Sequence, residues 1–355
     1  MRPEAVWPRS RRSIHEETQP DARPLYSDRY LEEVVELMNR LAMGTRLERS
    51  GHMVQEHLST GGKRLRARLA LAAGEALGGR RGRAVPWAAA CELLHNATLV
   101  HDDIQDEDRI RRDQPTVWVR HGVGQAINAG DLLLMLPFRA LEALDASGQQ
   151  RWLLSAAMAR RAEATVRGQS LEMDLLHNPT LANYLRATTG KTGALLALPV
   201  EGAAILSGLE ASNAAALAAP FVNIGLLFQL QDDVLDLYGD KGRGERGCDL
   251  KEGKVSILVV EHLQRVPEDR EWLLQILSAP RERTSPADIE ACCDRFAASG
   301  TLDAVLGRIL DLVRSCEEDP LLRAVPDLHG IAKDLIALSL QPISHLLRRL
   351  PGEAK

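Results

Sequence analysis

With 355 residues, 45% hydrophobic and 26% charged, the chain holds enough apolar material for a sizeable core, and its net charge of −5 argues against nucleic acid as a partner. No apolar run reaches the ~18 residues of a membrane span, and Arg2, Arg9, Arg11 and Arg12 are not followed by the apolar segment of a secretory signal. Five cysteines without ligand spacing read as free thiols in a reducing, cytoplasmic compartment, and a chain rich in Ala, Leu, Glu and Arg with 4% aromatics favours helix.

Residues 1–27 are rich in Pro, Arg and Ser and lack periodicity, which predicts a mobile tail ahead of one domain over 28–355. A first helix starts near Ser27, a good N-cap residue, and runs through Leu31–Ala42. The stretch STGGKRLR, Ser59 to Arg66, is a turn into an Ala/Leu helix that ends near Gly78-Gly79. Pro86 opens the next helix, which carries CELLHNATLVH and ends in Asp102-Asp103-Ile104-Gln105-Asp106. A polar link, Arg109 to Thr116, breaks it. Helices follow near 129–146, 149–177, 180–190, 192–208 and 211–239, the last ending in Asp232-Asp233-Val234-Leu235-Asp236. A glycine-rich charged loop over 239–254 reads as mobile, and amphipathic helices separated by prolines fill the remainder. The pattern is one all-α domain with two nearly all-apolar helices at its centre.

One DDxxD cluster reads as a solvated helix end. Two of them, each closing an apolar run, read as a site, because Asp is a poor helix-interior residue. On a helix Asp102 and Asp106 share a face, as i and i+4 residues do. Carboxylates grouped at the mouth of an apolar core repel unless a cation sits between them, and hard oxygens with phosphate completing the shell suit Mg²⁺. The complementary half is basic. Gly62-Lys63-Arg64 and Arg66 sit on a glycine-led turn, Arg111-Arg112 follow the first cluster, and Lys191-Thr192 follow Gly190. His95 lies two helical turns before Asp102, on the same face. The combination points to a diphosphate substrate held by metal above an apolar cavity.

The string LLHNATLVHDDIQDEDRIRRDQPT resembles the trans-prenyl diphosphate synthases. Around it stand GGKRLR before, and Gly130-Asp131, Gly168-Gln169, KTGAL and FQLQDDVLD after. The resemblance implies an isoprenoid-synthase-type helical bundle around a deep apolar cavity, working as a homodimer. It implies about three Mg²⁺ per site and coupling of isopentenyl diphosphate to an allylic diphosphate (dimethylallyl, geranyl or farnesyl). By motif position, Asp102, Asp103 and Asp106 match the first metal-binding cluster, and Asp232, Asp233 and Asp236 the second. Lys63, Arg64, His95 and Arg112 match the isopentenyl diphosphate pocket. Arg111, Lys191 and Gln229 match contacts to the allylic diphosphate, Lys254 matches a later basic contact, and Thr192 and Gln229 match residues placed near the developing cation.

Two departures stand out: Asp113 replaces the glycine that usually follows the paired arginines, and Gly244 stands where the loop usually carries a lysine. Lys241, Arg243 or Arg246 are the nearby stand-ins. One turn before the first cluster, Ala97 and Thr98 are small and leave room for a growing chain; Phe138 is a deeper floor candidate, with Leu94, Met135, Thr165 and Met173. The small pair disfavours a C15 product, and PTVWVRHGVGQAINAGD with GCDLKEGKVS resembles geranylgeranyl synthases, which implies a C20 product, geranylgeranyl diphosphate, with C25–C40 as the alternative. A class I terpene cyclase would replace the second cluster with an Asn/Asp-x-x-Ser/Thr-x-x-x-Glu pattern, which DDVLD does not match.

Overall fold

A computed structural model describes residues 28–44, 48–80, 82–239 and 246–349. The tail expected over 1–27 and the loop positions Lys241, Arg243 and Gly244 lie outside the described residues. The chain runs α1 (Asp28–Met43), α2 (Arg49–Ser59), α3 (Leu65–Ala76) and α4 (Val85–Gln105) before a two-stranded hairpin, β1 (Ile110–Arg111) and β2 (Gln114–Pro115). Then come α5 (Val117–His121), α6 (Val123–Ala140), α7 (Gly148–Met173), α8 (Leu181–Thr188), α9 (Ala194–Leu206) and α10 (Ala211–Tyr238). The last third holds α11 (Cys248–Lys251), α12 (Ile257–Arg265), α13 (Arg270–Leu277), α14 (Pro286–Ala298), α15 (Thr301–Glu317), α16 (Pro320–Arg323), α17 (Pro326–Leu340) and α18 (Ser344–Leu347).

Local chemistry sets the helix starts. Ser147 and Gln150 form a reciprocal capping box at α7, Ser285 and Asp288 another at α14, and Pro286 takes the first position of α14. The predicted all-α architecture holds, and the link that broke the sequence pattern is the hairpin. Its register pairs Ile110 with Pro115 and Arg111 with Gln114, so Arg112 and Asp113 form a two-residue turn. Both have positive φ, 53° and 60°, as a primed hairpin turn requires. Asp tolerates that region at modest strain, which is why Asp113 can stand where glycine is usual.

Packing places the site-bearing helices at the centre. Every residue of α9 is buried, and α9 lies against α3, α7 and α10. Burying each Leu or Ile contributes roughly 1.5–3 kcal/mol, so a helix covered on all sides is a strong organiser. Trp87 of α4 is fully buried and its indole donates to the Pro199 carbonyl at 3.0 Å, locking α4 to α9. The sequence expectation that no apolar stretch has spanning length needs correction. α10, with 28 residues and a window of mean hydropathy 1.5, passes by length and composition. Its few polar residues interrupt the run without lowering the average. In the fold its neighbours are α9, α12, α15 and α17.

Candidate active site

The first acidic cluster closes α4. The Asp106 N–H still donates to the Asp102 carbonyl at 2.8 Å, so the cluster is held in helical geometry to its last member. Its members diverge. Asp103 is 1% exposed and accepts from Arg111 Nε at 2.5 Å, while its Oδ2 is buried without a hydrogen-bond partner. Asp102 faces Lys191 Nζ at 3.9 Å, and Asp106 faces Lys254 Nζ at 3.5 Å. Burial pushes the Asp102 carboxyl up to about 6, against the pull of Lys191. Burial also raises Asp103 to about 6, opposed by Arg111.

The second cluster, at the end of α10, is mostly turned inward. Asp232 is exposed, whereas Asp233 and Asp236 are buried at 4% and 3%. Asp233 Oδ2 accepts from Tyr184 Oη and from the Ile257 N–H, both at 2.7 Å, and its Oδ1 accepts from Gln229 Nε2 at 2.9 Å. Asp236 Oδ2 accepts from the Asp249 N–H at 3.2 Å. Of the three aspartates expected as ligands, two are thus placed as anchors, joining α10 to α8, to α12 and to the segment bearing Lys254. The reason is helical phase: Asp233 and Asp236 lie on the face that α10 buries.

Lys191 and Thr192 sit on a π-helical turn, Thr189–Gly193, between α8 and α9, where the sequence suggested a plain break. Such turns widen a helix and expose side chains, and they recur at functional sites. Gly168 makes it possible: a Cβ there would lie 2.4 Å from the Lys191 nitrogen, so only glycine lets α7 approach the turn. Lys191 Nζ ion-pairs with Glu172, a residue absent from the sequence expectation. Glu172 was detectable as the carboxylate one helical turn after Gly168. Thr192 Oγ1 donates to Gln229 Oε1 at 3.5 Å, so the two groups expected near a cation are neighbours.

The basic wall is built from α2, α3, α4 and the hairpin. Arg112 donates to the Gly61 carbonyl and to Thr60 Oγ1, and a Cβ on Gly62 would lie 2.6 Å from its guanidinium carbon. Lys63 is exposed at the tip of the turn. Arg64, expected in the pocket, is turned inward: it is 7% exposed and its Nη2 donates to the Leu58 carbonyl at 2.5 Å. The next arginine, Arg66, is the one left with an uncommitted Nε. Arg66 Nε and His95 Nδ1 are both buried with no hydrogen-bond partner. The correction follows from backbone geometry: Arg64, with φ of 50°, precedes the first residue of α3, and Arg66 is already inside the helix. Burial, then the neighbouring Arg66, Arg112 and Arg111, hold His95 well below its ordinary range and so neutral.

Ala97 is fully buried, and Thr98 is half-buried with its hydroxyl on the His95 carbonyl at 2.8 Å. Phe138, the floor candidate, does not lie in the interior of this chain. It is 43% exposed on the outer face of α6, and Met135 and Met173 are 56% exposed. The inner face of α6 is taken by Ala126, Ala129, Gly130, Leu133 and Leu136, which leaves Met135 and Phe138 on the opposite face. Of the loop stand-ins, Arg246 is engaged with Glu290 at 2.9 Å.

The donor set fits a small hard cation. Asp102, Asp106 and the exposed Asp232 offer carboxylate oxygens, and the buried Asp103 Oδ2 has no hydrogen-bond partner. Among the described residues no three His, Cys, Asp or Glu side chains are close enough to form a ligand set alone. Water and substrate oxygens would complete such a shell.

Comparison with known proteins agrees with this geometry. The sequence model described as "Polyprenyl synthetase" matches residues 48–296. The chain is 36% identical over 301 residues to the short chain isoprenyl diphosphate synthase of Methanothermobacter thermautotrophicus, covering 82% of this chain and 89% of that one. It is 32% identical to the geranylgeranyl diphosphate synthase of Methanosarcina mazei, covering 76% and 86%. Among solved structures, geranylgeranyl pyrophosphate synthetase from Pyrococcus horikoshii superposes with a TM-score of 0.74 at 27% identity, over 87% and 98% of the two chains. With paired acidic helix ends facing a basic turn, and with a family match over most of its length, this chain belongs to the polyprenyl synthetase family and is a trans-prenyltransferase.

Proposed function

We propose that the protein condenses isopentenyl diphosphate head to tail with allylic diphosphates and releases chiefly geranylgeranyl diphosphate. The observation that carries this reading is the facing of two differently built ends. Lys191 and Lys254 reach Asp102 and Asp106 on one side, and Arg66 and His95 present unpaired nitrogens on the other. The first end suits the allylic diphosphate and the second suits isopentenyl diphosphate.

In the reaction the allylic C–O bond breaks, the isopentenyl double bond attacks the resulting cation, and a proton passes to the departed diphosphate. Lys191 and Lys254 stand where negative charge grows on the leaving group, and Arg111 adds a third cation tied to Asp103. Arg112, Lys63, Arg66 and neutral His95 hold the second diphosphate. The Thr192 hydroxyl and the Gln229 amide offer oriented dipoles beside the cation without a free base to quench it. Mg²⁺ held by Asp102, Asp106 and Asp232 would neutralise the diphosphate as the bond breaks.

The M. mazei and P. horikoshii names support a C20 product. The small pair Ala97 and Thr98 supports C20 and also leaves room for C25–C40. An exposed apolar stripe on α6 and α7 (Ile127, Met135, Phe138, Trp152, Val166 and Met173) supports a homodimer that covers it. Five free cysteines support a reducing, cytoplasmic setting.

The test is incubation with Mg²⁺, isopentenyl diphosphate and each of the C5, C10 and C15 allylic diphosphates, followed by sizing of the dephosphorylated products. A C20 alcohol is expected, and Thr98→Phe should shorten it. A C30–C40 ladder would keep the chemistry and overturn the chain length. Cyclic hydrocarbon, or no isopentenyl consumption with any primer, would sink the reading itself.

A further inference from the structure

Beneath the basic wall lies a carboxylate that the condensation does not use. Glu92 of α4 is 1% exposed. Its Oε2 accepts from the Ala67 N–H at 3.2 Å, in the first turn of α3. Its Oε1 lies 3.7 Å from Arg64 Nη1 and 3.4 Å from Asn96 Nδ2. Asn96, fully buried, also donates to the Glu92 carbonyl at 2.7 Å and pairs with His57 of α2 at 3.1 Å. One side chain therefore touches the start of α3 directly and reaches α2 through Asn96. Glu92 is also the group whose negative charge opposes the desolvation of Arg66.

A buried carboxylate is costly unless paired and hydrogen-bonded, so its place among Arg64, Arg66 and Arg112 needs a reason. Helix packing alone does not supply one, because an apolar residue of similar size would pack α3 on α4 without that penalty. The chain between Gly61 and Arg64 makes a strained turn, with φ of 82° at Gly61, 119° at Gly62 and 50° at Arg64. Something must hold that turn against α4 while leaving Arg66 Nε without a protein partner. The contacts of Glu92 do both: Arg64 and the Ala67 N–H are drawn inward on either side of Arg66.

We infer that Glu92 is a positioning residue for the diphosphate pocket on this wall: it fixes the Lys63–Arg66 turn and aims Arg66 beside His95. The inference rests on the isopentenyl diphosphate reading of that pocket. Two effects of changing Glu92 have opposite signs. Removing its charge strengthens the local positive potential and favours an anion. Releasing the turn misplaces Arg66 and weakens a charge-assisted contact. Misplacement dominates, because Arg111 and Arg112 already supply positive potential, whereas Arg66 Nε and His95 Nδ1 are unpaired nitrogens that no carboxylate lies beside, unlike Arg64 Nη1, which lies 3.7 Å from Glu92.

Glu92→Asp separates the two, since it keeps the charge and withdraws it by one methylene. The expected result is a KM for isopentenyl diphosphate raised about tenfold, with kcat and the allylic KM changed less than about twofold. Glu92→Gln should shift the same constant in the same direction, and it serves if the Asp variant folds poorly. An unchanged or lowered isopentenyl KM in the folded variants overturns the proposal, and so does an equal loss in kcat and both KM values. Wild-type protein run alongside keeps the two levels apart: if it fails to consume isopentenyl diphosphate, the proposed function has failed. If it turns over normally while the variants match it, only the role of Glu92 has.

Discussion

At the end of α4 the aspartates are divided between a rim and a wall: Asp102 and Asp106 meet lysines from other elements, and Asp103 meets Arg111. At the end of α10 the division runs the other way, with Asp232 exposed and Asp233 and Asp236 bound to backbone N–H groups. The same five-letter pattern thus does different work in the two places. In the first it mainly presents charge to whatever lies above it. In the second it mainly ties α10 to α8, α12 and the loop that carries Lys254. What decides is the face each helix has free: Asp233 and Asp236 lie on the buried face of α10, and Asp102 and Asp106 on a partly open side of α4.

Breaking that contrast at the first cluster should have the largest effect. Asp102→Ala is expected to lower kcat about a thousandfold, with a fold that still melts cooperatively. Steady-state assays over a range of Mg²⁺ would expose a loss below about tenfold, which would remove Asp102 from the chemistry. At the second cluster the neighbouring pair should separate. Asp233→Asn strands at least one of three buried donors and should cost about 2–3 kcal/mol in urea unfolding. Asp232→Asn should leave the urea midpoint in place and lower kcat instead. Equal behaviour of the two variants in both assays would erase the distinction between rim and anchor.

The sequence made the helices, the acidic helix ends and the two cationic groups legible, because 3.6-residue periodicity, proline and glycine punctuation and motif spacing are local signals. The divisions inside the motifs were not legible. Arg64 and Arg66 look alike until the turn shows that one precedes α3 and points in. Phe138 was a candidate floor for the growing chain, yet Ala126, Ala129, Gly130, Leu133 and Leu136 occupy the inward face of α6. Glu172 and Tyr184 gain their roles only through partners 19 and 49 residues away, Lys191 and Asp233. Each depends on which face a helix turns to its neighbours, and no window of sequence contains that.

The arginine pair sharpens the contrast at smaller amplitude. Arg66→Ala should raise the isopentenyl diphosphate KM by about tenfold or more while the urea midpoint holds, because its guanidinium reaches the ligand. Arg64→Ala should instead lower the midpoint, since it abandons the Leu58 carbonyl and leaves Glu92 less compensated. If Arg64→Ala alone shifted the KM, the pocket would belong to Arg64 after all.

The smallest effect concerns pH, and it sets the basic wall against the acidic helix ends by sign. Burial first, then Arg112 and Arg111, lower His57 from 6.5 to about 3, so the folded protein refuses a proton that the unfolded chain accepts. That stabilising difference is complete above about pH 6.5 and is lost as the pH falls towards 3. Asp233 behaves oppositely: burial raises it to about 7, so its contribution is lost as the pH rises from the ordinary carboxylate range to about 7. His57→Gln keeps a donor for Asn96 and removes the titration. Below pH 6.5 its unfolding free energy should gain on wild type by up to about 1.4 kcal/mol per pH unit, and above that the difference should be flat. A difference constant from pH 5 to 8 would mean that His57 is not held neutral by burial and the arginines around it. The opposition of signs between the two walls would then have no basis.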